Sequence, residues 1–304
     1  MRSDSAPLLG AGAPVRTVRR FLLGELDSAV ARLKKGHLSD LAVHEIRKEL
    51  KRVRAALRLL RPCIGPDAYH RENILVRDAA RPLTPIRDAV ILPQTLRGLE
   101  ARTGESNAAC ARYLDGVLRQ EQRAARRQVK PSELRAAVRR LRALKRRIEG
   151  LPASRLDRAI PSGGLRRTYQ FGRNALASVT LQATDEHLHE WRKQVTYLAN
   201  QLECISPPDS KRFATRLDRF RRLARYLGDD HDLAVLNRKI LQISEQSNAA
   251  SANVVRQNAG LQELASRIAR RREALQSKAF RLGQRLYARR PRRMAASWSQ
   301  FLSA

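Results

Sequence analysis

In the stretch SDLAVHEIRKELKRVRAALRLLR, residues 39–61, His44, Arg47, Lys48, Lys51, Arg54 and Arg58 recur at intervals of three and four. On a helix turning by about 100° per residue they fall on one stripe, with Val43, Ile46, Leu50, Val53 and Leu57 on the opposite side. The apolar side can bury against a core while the other presents a row of cations. Glu45 and Glu49 stand towards the apolar boundary, and no acid interrupts the row itself. Like charges at i, i+3 and i+4 repel by about 0.2–0.5 kcal/mol per pair, so the row is a cost until an anion arrives. Its chemistry is charge-assisted binding of a multivalent anion, with each Arg offering a two-pronged fork to a phosphate-like group.

The row returns about 145 residues later. His189, Arg192, Lys193 and Thr196 share a stripe opposite Trp191, Val195, Leu198 and Leu202, with Thr184 or Asp185 as the helix cap. A second pair of segments repeats too. Arg77 and Arg81, spaced i, i+4, correspond to Arg221 and Arg225, and Arg222 adds a cation beside them. LTPIRDAVIL (83–92) matches LGDDHDLAVL (227–236), which aligns Asp88 with Asp232. The two offsets differ by one residue, as a single loop deletion would produce, so an internal duplication is expected. Thr196 and Ala199 stand where the first row has Lys51 and Arg54, and the first repeat is therefore expected to contribute more of the affinity.

The elements that must position these rows are helical. Residues 15–35 carry apolar positions at three and four and stop at Gly36; the helix of the first row is predicted to end at Pro62. A further helix is predicted over 67–92, broken or restarted near Pro82 and Pro85, then Arg-rich helices over 107–129 and 131–149. Residues 150–164, GLPASRLDRAIPSGG, read as a linker, and residues 1–13 as a flexible lead-in. Long basic helices fill the last third, and the tail from about Pro291, with Trp298 and Phe301, can dock on the bundle. No alternating strand pattern is present.

Composition narrows the partner. With 61 Lys and Arg against 29 Asp and Glu, the formal charge of +32 over 304 residues exceeds what solubility requires and points to a polyanion. Nucleic acid, an anionic membrane surface and inorganic polyphosphate all bind through counterion release, so charge alone does not separate them. A hydrophobic content of 42% suffices for a substantial core, which excludes a disordered basic tail. Cys63, Cys110 and Cys204 are odd in number and widely spaced, and read as reduced core thiols of a cytosolic protein. No run approaches the roughly 18 apolar residues of a membrane span, and PLLGAGAP is too short and interrupted for a signal-peptide core. The expected location is the cytoplasm.

Four stretches, VHEIRKELKRVRAALRLLRP, GLRRTYQFGRNAL, LHEWRKQV and LGDDHDLAVL, occur in an order that resembles the conserved histidine α-helical domain, the CHAD domain, from about Val15 to about Leu302. The resemblance implies two pseudo-symmetric antiparallel four-helix bundles, residues 14–149 and 165–304. It also implies binding of inorganic polyphosphate through basic surface residues, in some members at polyphosphate granules. Members are also fused to a triphosphate-hydrolysing CYTH domain, whose ExExK motif is absent here. The residues expected at the anion are both rows together with Arg77, Arg81, Arg221, Arg222 and Arg225.

Other chemistry is weaker. His44 and His189 each open a basic row whose cations depress an imidazole, so a neutral ring donating one hydrogen bond is expected. The DDHD cluster, Asp229 to Asp232, suggests a metal-dependent phosphohydrolase, but its counterpart reads Pro85, Ile86, Arg87, Asp88, and a metal site would not survive the His-to-Arg exchange. Asp88 and Asp232 are therefore expected to cap a helix or pair with a buried Arg. No nucleophile elbow, phosphate-cradling glycine loop or Cys ligand set appears. Nucleic acid is the serious rival and a candidate competitor ligand. Single-strand readers interleave aromatics with cations, and both rows lack them. The expectation is an all-α protein that binds inorganic polyphosphate, without enzymatic activity, cofactor, metal or membrane contact.

Overall fold

Ser39 and Thr184 solve the same problem twice. Each precedes a row-bearing helix and satisfies one of its orphan N–H groups: the Ser39 hydroxyl accepts from Ala42 N–H and the Thr184 hydroxyl from His187 N–H, both at 3.1 Å. The computed structural model describes residues 13–36, 38–103, 108–151, 162–206, 210–246 and 252–303, and among them is no strand. The first six helices are α1 (Ala13–Lys34), α2 (Asp40–Ile64), α3 (Pro66–Ala80), α4 (Thr84–Thr103), α5 (Ala108–Gln128) and α6 (Pro131–Glu149). After them come α7 (Ser162–Leu181), α8 (Asp185–Cys204), α9 (Lys211–Gln246), α10 (Ala252–Leu286) and α11 (Pro291–Ser303). The protein is all-α, as its periodicity predicts.

Pro62 does not end the helix of the first row. A proline in a last turn forfeits one N–H, and α2 runs on to Ile64, with Gly65 N–H still bonded to Arg61 O at 3.0 Å. The stop comes from Gly65, whose φ of 85° lies where only glycine is unstrained. The predicted break near Pro82 is a 3-10 turn, Arg81–Leu83, and α4 then continues through Pro93. Residues 1–12 of the lead-in and 152–161 of the linker lie outside the described residues; α7 begins at Ser162, inside the predicted linker.

Both row-bearing helices turn their apolar faces into one core. Val43, Ile46, Leu50, Val53 and Leu57 of α2 are at most 1% exposed and share that core with Trp191, Val195, Leu198 and Leu202 of α8. Helices α1, α3, α6, α7 and α11 close around them. Trp191, predicted on the apolar face, stacks on Phe280 at 5.7 Å, and Trp298 docks α11 edge-on against Tyr169 at 5.8 Å. A second core joins Leu96, Leu114 and Leu118 of α4 and α5 to Leu236, Ile240 and Ile268 of α9 and α10. Helix α9, 36 residues and about 54 Å long, reaches both: Phe213, Phe220 and Leu227 lie in the first, Leu236 and Ile240 in the second. All three cysteines are free thiols; Cys110 and Cys204 are buried, Cys63 half-buried.

Candidate functional site

Because α2 and α8 pack through their apolar faces, their basic faces meet at a common edge. Arg52 of α2 fixes that packing by donating to Glu203 at 2.7 Å and to Glu25 of α1 at 3.3 Å. Arg47 and Lys51 from α2 then stand within electrostatic reach of Arg87 from α4, while Lys51 and Arg87 interact with Arg192 from α8. Two acids serve this group: the more exposed Asp88 of α4 accepts from Arg87 Nη1 at 3.0 Å, and Asp232 of α9 accepts from Arg87 Nη2 at 3.3 Å. Beside it the rings of His189 and His231 lie 5.3 Å apart, and His231 Nδ1 is 3.4 Å from Asp232 Oδ1. Four helices, two from each half of the sequence, thus build one cationic cluster.

The charges are felt in the protonation equilibria. Lys51 is exposed over part of its surface, yet desolvation of its charged form among the surrounding helices, followed by Arg87, Arg192 and Arg47, pushes its ammonium down to about 8 against the pull of Asp232. Arg47 and Arg192 are lowered too, first by burial and then by Arg87. His189 falls below the ordinary imidazole value through desolvation, then Arg192, His231 and Lys193, as its sequence position predicts. Burial works to raise Asp232. The hydrogen bond from His231 and the charges of Arg87, His231 and Arg192 outweigh it and hold the carboxyl low. The Nε donors of Arg47 and Arg192 are buried without a hydrogen-bond partner among the described residues.

The rows are not used whole. His44 is exposed and lines a smaller cavity of about 350 Å³ with Asp40 and Arg87. Lys48 pairs with Glu45 at 3.7 Å and Lys193 with Glu190, so acids at the stripe boundary reach back to the rows. Arg54 donates to Asn73 at 2.9 Å, and Arg58 stacks 3.9 Å above the Tyr197 ring. Arg77 pairs with Asp78, Arg222 with Asp218 and Arg221 with Glu203; Arg81 and Arg225 are exposed. Among the described residues, none of these five joins the cluster around Lys51. Arg87 and His231, in contrast, belong to it and were legible only as the aligned Arg-for-His exchange between LTPIRDAVIL and LGDDHDLAVL.

The DDHD carboxylates diverge. Asp230, 2% exposed, accepts from Arg272 Nε at 3.0 Å and Gln276 Nε2 at 2.9 Å, whereas Asp232 turns to Arg87. Asp232 sits inside α9 and caps no helix; it pairs with an Arg that also donates to Asp88 at 3.0 Å.

A family model described as the CHAD domain matches residues 19–241. The chain belongs to the CHAD domain family. The solved structures it resembles include the CHAD domain from the plant Ricinus communis, 18% identical with a TM-score of 0.60 over 90% of this chain and 96% of that one. PptA from Streptomyces chartreusis is 15% identical with a TM-score of 0.61, over 88% of this chain and 99% of that one. No curated protein matches. This CHAD domain shares its all-α fold with both, and no helix among its described residues is long and apolar enough to cross a membrane.

Proposed function

We propose that this CHAD domain binds inorganic polyphosphate, without turning it over, at the cluster where the two basic rows converge. The family is linked to polyphosphate binding in general. The observation that carries the reading here is the meeting of Arg47, Lys51, Arg87 and Arg192 from three helices, four cations against the two carboxylates of Asp88 and Asp232. Such an arrangement stores repulsion that a multivalent anion relieves, and partly buried guanidiniums with free Nε donors suit phosphate oxygens. Among the described residues none of these four cations lies over an aromatic ring, so the cluster offers a nucleobase little to stack on. The divergence of Asp230 and Asp232 favours binding over metal-assisted hydrolysis, because each carboxylate is already committed to an Arg. A cytoplasmic or granule-associated location and two pseudo-symmetric bundles belong to the same reading.

The test is a competition titration. Labelled long-chain polyphosphate on the purified protein at physiological salt is challenged with duplex DNA and single-stranded RNA at equal phosphate concentration. Polyphosphate is expected to outlast both by about tenfold or more, some 1.4 kcal/mol. Reversal of Arg47, Lys48 and Lys51 to Glu is expected to remove most of the affinity while circular dichroism stays unchanged. Equal displacement by nucleic acid would reduce the cluster to a general polyanion surface, and phosphate release that depended on Asp232 and a divalent ion would overturn the non-enzymatic reading.

A further inference from the structure

A second basic feature lies away from the Lys51 cluster, at the far end of α2. Gly164 opens the way to it: a Cβ there would meet Leu59 Cα at 3.0 Å and Arg58 O at 3.1 Å, so only glycine lets the start of α7 press against α2. Tyr169 supplies the other clamp. Its buried hydroxyl donates to the turn between α10 and α11, whose Leu286 and Arg289 carbonyls both lie at 3.0 Å. Three helix ends are thereby held around a cleft of about 1140 Å³.

The lining is cationic on every side. Arg58 and Arg61 enter from α2, Arg166, Arg167 and Arg173 from α7, and Arg290, Arg292 and Arg293 from the turn leading into α11 and its first residues. Among the described residues no Asp or Glu lines the cleft, and none of these guanidiniums is paired with a carboxylate. Arg58 and Arg61 lie over the rings of Tyr197 and Tyr69, which keeps their planes in place. The α11 arginines fall outside the residues matched by the family model.

One side chain distinguishes this cleft from the cluster. Phe171 is 44% exposed and lies one helical turn beyond Arg167, with Gln170 beside it at the cleft wall. An exposed ring among cations is the arrangement by which single-stranded nucleic acids are held: guanidiniums follow the phosphates and a base stacks on the aromatic. A bare phosphate chain has no use for the ring. The volume also exceeds the roughly 300–1,000 Å³ of small-molecule pockets, which suits a segment of chain over one mononucleotide. We infer that the arginine cleft between α2, α7 and α11 is a separate site for single-stranded nucleic acid, with phosphates on the guanidiniums and a base on Phe171.

The inference does not depend on polyphosphate binding at the Lys51 cluster, and the two are tested apart. Fluorescence anisotropy of a labelled adenine oligoribonucleotide of about ten nucleotides, a length in the range such grooves cover, is measured on the full chain at physiological salt. Phe171→Ala is expected to weaken RNA binding about 5- to 150-fold, the value of one stacked base, and to leave polyphosphate affinity unchanged. Combined Arg166→Glu, Arg292→Glu and Arg293→Glu should abolish RNA binding, whereas Lys51→Gln should shift it by less than about threefold. Because Phe171 is exposed, unchanged thermal melting of Phe171→Ala is the fold control. RNA that does not bind the wild type, RNA binding indifferent to Phe171→Ala, or RNA binding lost to Lys51→Gln as fully as to the cleft variant would each overturn the assignment. Loss of polyphosphate binding in Phe171→Ala would do so as well.

Discussion

Lys51 carries an ammonium pushed down to about 8, and the proposed anion binding should therefore depend on pH. A bound phosphate favours the charged form, so the pKa in the complex lies above its value in the free protein. Affinity is therefore complete below about pH 8 and declines as pH rises through that value towards the bound pKa. Titrations with polyphosphate from pH 7 to pH 10 should show this decline in the wild type and lose it in Lys51→Arg; parallel profiles would remove Lys51 from the site. His189 adds a second limb with the same sign, since its depressed pKa leaves it neutral at pH 7 and protonation at lower pH strengthens anion binding. Asp232 makes the converse prediction. As the carboxylate paired with Arg87, its loss in Asp232→Asn should cost about 1–3 kcal/mol of stability, seen as a lower Tm. Added polyphosphate should narrow that gap, because the ligand replaces the missing negative charge; a gap that polyphosphate leaves untouched would place Asp232 outside the binding electrostatics.

At the scale of elements, contact between the two row-bearing helices sets the geometry, and Gly164 sets how closely α7 joins them. Gly164→Ala places a methyl group against the α2 backbone and should destabilise the fold by about 1–3 kcal/mol in denaturant titration. Much of this level was legible in advance. The 3.6-residue periodicity of α2 and α8 is a local signal, and so are the Ser39 and Thr184 caps, the stop at Gly36 and the burial of Trp191. What local patterns do not carry is distance along the chain. Arg87 acquires its role from Asp232, 145 residues away, so its own neighbours announce nothing. Arg221 shares a stripe with other cations but is paired with Glu203, a partner from another helix. The arginine cleft is assembled from three helix ends, each of which alone reads as an ordinary solvated turn.

For the whole molecule, the charge of +32 dictates how binding responds to salt. A ligand held by many guanidinium and ammonium contacts displaces a counterion at most of them, so log affinity should fall linearly with log salt concentration. The triple reversal at Arg47, Lys48 and Lys51 should flatten that slope by roughly the number of phosphate contacts it removes, and a slope equal to that of the wild type would show that the ligand is held elsewhere. The two cores are also a property of the whole. Their separation was hidden because residues of α4 and α5 meet those of α9 and α10, far apart in sequence, in a cluster that no single amphipathic stripe foretells.

Helix α9 has a mechanical consequence. It is a beam embedded at both ends, Phe213 to Leu227 in one core and Leu236 to Ile243 in the other, and His231 and Asp232 sit on the short span between the two anchorages. Arg87, on the helix that starts beside one core and ends in the other, is pinned to that same span. A ligand seated there grips the joint of the molecule rather than either of its lobes. On the proposed reading, it would bridge the span between the two cores and add contacts there with no need to alter the interior of either.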